Sequence, residues 1–165
     1  MKKILSVLFL FCLFGNVFGQ RGAILKSYAY AQEFMPGTQQ QDAEVKTLTT
    51  YFIYLEIAKK TDVAVKYIWI GKNCSVPNIA TNVKSPVVIV NNGAMNTKEP
   101  TSQLVPKTSN TILQIMPTET IDDKNLRTGK RLACKNAFVI AYIYKGKWCY
   151  YSGKAFKSLA MQFGM

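Results

Sequence analysis

Nine carboxylates, four cysteines and no histidine define the chemistry open to this chain. Without imidazole there is no Ser-His-Asp or Cys-His catalysis, no histidine general base and no histidine metal ligand. Acid–base work would need two carboxylates set at a working distance, as in glycosidases and acid proteases. Most of the nine sit among turn-forming residues, and the pair Asp122-Asp123 reads as turn chemistry. Glu56 differs, because it falls inside an apolar run that reads as a strand. A charged or salt-bridged strand residue is the expected role there, ahead of a catalytic one. Neither an Asp-rich calcium loop nor a phosphate-binding glycine loop occurs, and no metal or other cofactor is expected.

The cysteines offer little more. Cys12 lies in the apolar N-terminal run, leaving Cys74, Cys134 and Cys149 beyond it, with no Cys-x-x-Cys pair. An activated thiolate needs a nearby cation or a helix N-terminus. Cys149 falls on an apolar strand and reads as a buried, inert thiol. If one disulfide forms, Cys74–Cys134 is the expected pair. Cys149 is expected opposite Ile143, nine residues from Cys134, and nine extended residues span roughly 30 Å. A disulfide needs Cα atoms about 4.4–6.8 Å apart.

The remaining candidates are rings and lysines. Tyr142, Tyr144, Trp148 and Tyr150 cluster near Lys145 and Lys147, and Trp69 belongs to a second aromatic run. Such rings stack on flat groups and are favoured at interfaces. These seven residues form the expected binding site, although burial of much of this surface in the core is the competing reading.

The elements that must hold these residues read as strands. Turn residues recur at short intervals between runs rich in Val, Ile, Tyr and Thr, which is the signature of an all-β sandwich or barrel. An immunoglobulin-like or related β-sandwich is expected, with a partly open β-barrel as the alternative. One hairpin is expected to join Tyr51–Ala58 to Val63–Ile70, with Phe52 opposite Trp69 and Tyr54 opposite Tyr67. A second joins Phe138–Tyr144 to Trp148–Tyr151. Centring its turn on Gly146 puts Tyr144 opposite Trp148 and Tyr142 opposite Tyr150. Further strands are expected at Tyr28–Phe34, Val87–Val90 and Thr111–Met116, the last ending at Pro117 because proline lacks a ladder donor. Met35–Lys46 and Asn92–Ser102 read as polar loops. In the tail, Phe156, Leu159, Ala160 and Phe163 fit a helix or a terminal strand.

The N-terminus reads as an export signal. Lys2-Lys3 precede an apolar stretch from Ile4 to Phe14 and small residues ending at Gly19. That stretch would form a helix of about 16 Å, short of the roughly 30 Å hydrocarbon core. Residues 1–19 are therefore expected to be a cleaved signal peptide and 20–165 a single β-rich domain with no transmembrane segment. The short signal and small β-rich domain are similar in type to exported envelope proteins of Gram-negative bacteria, in the periplasm or outside the cell.

Cleavage removes two of the +12 formal charges of the full chain. The remaining excess favours anionic polymers or membrane surfaces. The expectation is an exported, non-catalytic binding or accessory protein for anionic glycan or lipid head groups, or for a protein partner. Nucleic acid is not expected as a partner. A structural subunit docking by a strand edge is the alternative. A carboxylate-dependent hydrolase working through Glu56 ranks third.

Overall fold

In the computed structural model, described for residues 22–35, 47–80, 83–90, 101–122 and 124–163, the chain is all-β with one short helix. The expected export signal and most of the two expected loops lie outside the described residues. The strands are β1 (Ile24–Met35), β2 (Leu48–Ile57), β3 (Ala64–Ile70), β4 (Asn73–Ala80), β5 (Val87–Val90), β6 (Thr101–Val105), β7 (Thr111–Ile121), β8 (Phe138–Tyr144), β9 (Lys147–Gly153), β10 (Lys157–Ser158) and β11 (Gln162–Phe163). The helix α1 spans Arg127–Ala133. The main sheet runs β10-β1-β2-β7-β4-β3-β8-β9, with β11 also on β1, and it curls into a half-barrel. The β5–β6 pair forms a small second sheet.

Alternation along the strands decides which side chains enter the curl. Ile53, Leu55, Ile68, Leu113, Ile115 and Ile140 face inward and form the main core. The outer face is covered twice. Tyr30, Tyr54 and Ile112 pack there against Leu104 and Val105 of β6. Further along, Trp69, Cys74, Val139 and Ala141 pack against Ala133 of α1. The hairpin end of β9 has no such cover, and Trp148 and Tyr150 are 52% and 37% exposed.

The expected hairpin of β2 with β3 is not formed. β2 pairs with β1 and β7, whereas β3 pairs with β4 and β8. Both strands send their alternate aliphatics into one core, so their faces were readable and their neighbours were not. Residues 58–63 can reach about 20 Å. β2 and β3 lie three strand spacings apart, about 14 Å, which that loop can cross at the barrel end. Phe52, Tyr54, Tyr67 and Trp69 share one face as expected, and it is the outer one, but Val65 points inward, beside an irregularity between Val65 and Tyr67.

The β8–β9 hairpin is formed, one residue out of the expected register. Ile143 faces Trp148 and Tyr142 faces Cys149. The cause is the turn. Lys145 and Gly146 both take positive φ, 50° and 73°, which is the two-residue type I′ geometry matched to strand twist. A three-residue loop centred on Gly146 does not occur. The shift moves Tyr142 and Tyr144 to the inner face, away from Trp148 and Tyr150.

β7 does not stop at Pro117. Pro117 stands opposite Pro77 of β4, beside a register irregularity, so the two missing donors fall where the ladder is already interrupted. The tail adds its two short strands in parallel to β1, the strand alternative. Phe156 packs its ring against Tyr51 and Phe138, at centroid distances of 4.8 and 5.3 Å. At the open seam of the curl, the Tyr151 hydroxyl donates to Ser27 Oγ at 2.9 Å, linking β9 to β1. No helix among the described residues is long and apolar enough to cross a membrane.

Candidate functional site

Between the start of β1 and the β8–β9 hairpin lies an open cleft of about 690 Å³. Tyr142 and Gly22 form part of its wall, where a Cβ on residue 22 would stand 2.6 Å from the Tyr142 hydroxyl. Burial, reinforced by neighbouring Cys149, pushes the Tyr142 phenol above its ordinary pKa, so the phenol stays neutral. Tyr144, Lys145, Lys147, Trp148 and Tyr150 complete the rim. None of the described lining residues is acidic. The Lys145 ammonium stands 5.2 Å from the centroid of the Tyr144 ring, within cation–π range.

Six of the seven expected site residues therefore border one cleft. Trp69 does not. It is 1% exposed, covered by α1 and held edge-on to Tyr67 at 6.1 Å. Tyr67, outside the expected site, stacks parallel to Trp148, with centroids 6.1 Å apart and planes within 1°. It holds one face of the indole and leaves the rest of that ring exposed. The contact depends on the pairing of β3 with β8 and on the register of β8 with β9. Neither is visible in local pattern.

The turn carries its own signal. A non-glycine residue at φ 50° is disfavoured, and Asn is the usual occupant of this type I′ position. Lys145 occupies it instead. Lys145→Asn is expected to raise stability by up to about 1 kcal/mol while removing a charge from the cleft. Urea unfolding of the two proteins checks this.

Glu56 lies elsewhere, on the outer face of β2. It is 9% exposed. Its Oε1 accepts from Thr108 Oγ1 and Asn110 Nδ2, each at 2.7 Å, and its Oε2 accepts from the Tyr28 hydroxyl at 2.8 Å. The hydrogen bonds from Asn110 and Thr108 hold its carboxyl below the ordinary range against the opposing effect of burial. Tyr28, half-buried and bonded to that carboxylate, is pushed up to about 12. With these three donors in place, Glu56 anchors the segment between β6 and β7 to β1 and β2.

The described cysteines form no disulfide: Cys74 is buried under α1, Cys134 is exposed and Cys149 is half-buried. Among the described residues no group of three His, Cys, Asp or Glu side chains gathers into a metal site. Comparison with protein families, curated proteins and solved structures gives no significant match.

Proposed function

We propose that this protein is an exported, non-catalytic binding protein of the cell envelope, with the cleft at the β8–β9 hairpin as its site for an anionic glycan or lipid head group. The observation that carries the reading is a rim of Lys145, Lys147, Trp148 and Tyr150 with no carboxylate among the described lining residues. Lysines supply the charge for an anionic group, and the uncovered rings supply flat contact area. An exposed tryptophan on an edge strand is otherwise a liability that sheets avoid.

The test is binding of the mature domain to polygalacturonate and to anionic vesicles, titrated with salt. Two neutralised charges imply an affinity loss of about tenfold between about 50 and 200 mM salt, on the scale set by counterion release from linear polyanions. Replacing Lys145 and Lys147 by Gln is expected to flatten the log–log salt slope by about one per lysine. Equal binding by wild type and double variant at low salt would remove the cleft from the reading.

A further inference from the structure

The charge of this chain is unevenly placed. No Asp or Glu occurs after Asp123, and residues 124–165 hold nine of the 21 basic residues. Five fall between Lys124 and Lys135, and all five are exposed. The Lys124 ammonium meets Asp122 at 3.0 Å in an exposed pair. Arg127, Lys130, Arg131 and Lys135 extend the basic surface along α1 and its C-terminal turn.

The packing of α1 fixes where this charge points. Gly129 and Ala133 are the buried residues of the helix, with Leu126 and Leu132 packed beside them. A Cβ on Gly129 would fall 2.3 Å from the Trp69 ring, so the helix lies directly on the indole. Four-residue spacing places Arg127 and Arg131 on one side of the helix. Their exposure puts that side toward solvent, beyond the contact with Trp69.

A continuous line of contacts joins this helix to the hairpin: α1 on Trp69, Trp69 against Tyr67, and Tyr67 stacked on Trp148. Seven-residue strands make this line about 23 Å long, from α1 to the Lys145-Gly146 turn. The basic helix and the exposed rings thus share the outer face of β3, β8 and β9.

We propose that this outer face is one extended surface for a linear acidic polysaccharide, with Arg127, Arg131 and Lys135 gripping its carboxylates and Trp148 stacking under one sugar ring. This rests on the reading of the hairpin as an anion site and extends it from a single group to a chain of several sugars. Charge complementarity selects a polyanion. Arginine presents a planar fork that matches carboxylates. With Tyr67 stacked on Trp148, the exposed rings of this face are Trp148 and Tyr150, too few for the successive stacking positions of a single-strand nucleic-acid groove. The exposed aliphatics Leu25, Leu48, Val88 and Val90 lie on β1, β2 and β5, and Val76 alone lies beside the basic face, on β4, too little apolar surface there for membrane insertion.

The experiment compares the mature domain with Arg127→Gln/Arg131→Gln/Lys135→Gln and with Lys145→Gln/Lys147→Gln. The probes are polygalacturonate fractions of increasing length, single-stranded DNA and anionic phosphatidylglycerol vesicles. Circular dichroism checks that each variant is folded. The expected result is an affinity that rises with chain length, and an α1 variant weakened by about tenfold at low salt for long fractions only. Unchanged binding by a folded α1 variant, with the hairpin variant still impaired, would overturn the extended surface and leave the hairpin site standing. Absence of polygalacturonate binding together with retention on vesicles would overturn the polysaccharide while keeping an anion site at the hairpin. Tighter binding to DNA than to every polygalacturonate fraction would also overturn the polysaccharide. Failure to bind any of the three would sink both readings.

Discussion

Replacing Trp69 by alanine is expected to lower stability by about 3–5 kcal/mol, a large share of the roughly 5–15 kcal/mol that holds a domain together. The indole is 1% exposed and lies between β3 and α1, so its removal opens a cavity that the small residues above it cannot fill. Gly129→Ala attacks the same contact from the other side. Its new Cβ would sit 2.3 Å from the ring, and lifting the helix should cost about 1–3 kcal/mol. Trp148→Ala should remove only its stack with Tyr67, about 0.5–1.5 kcal/mol. Urea denaturation of the three variants checks the ordering. A Trp148 variant as unstable as the Trp69 variant would mean that both rings are core and that the platform does not exist.

The second large effect is expected at Glu56. Glu56→Gln gives an amide that cannot accept from all three donors, at a cost of about 2–3 kcal/mol. The pH dependence follows from the direction of the shift. The folded-state carboxyl is held below the ordinary value, so its stabilisation is complete above the unfolded-state pKa and is lost as pH falls through the folded-state pKa. Wild type should therefore lose stability on acidification more steeply than Glu56→Gln, and the gap between them should narrow. Chemical denaturation between about pH 7 and pH 3 measures this. A constant gap across that range would show that the carboxylate charge contributes nothing. A hydrolase reading of Glu56 predicts a loss of activity with unchanged stability, the opposite pattern.

The all-β class and most strand positions were legible because alternation and turn residues are local signals. Which alternate residues of β2 and β3 share a face was legible for the same reason, apart from Val65 beyond the irregularity. Pairing was not, since Ile53 and Ile68 meet in one core although their strands sit three places apart. The register of β8 and β9 hinged on Lys145 taking positive φ, which a lysine does not advertise. α1 was hidden because its buried stripe is made of Gly129 and Ala133, small enough to admit Trp69 but without an apolar period. The cleft residues near Gly146 were found because rings and lysines adjoin in sequence. Tyr67 was not grouped with Trp148, because the pairing of β3 with β8, strands far apart in the chain, brings it there. The absence of acidic residues after Asp123 was the available clue to the basic face, and scattered single lysines concealed it.

The most direct test of the account uses the chain's own reporters. Trp69 and Trp148 are its two tryptophans, one buried and one exposed. Fluorescence of the protein should change as polygalacturonate is added at low salt. The change should reverse with salt and vanish in Trp148→Ala, while Trp69 emission stays constant. A salt-insensitive signal, or one that survives the loss of Trp148, would contradict an anionic ligand seated on the β8–β9 hairpin.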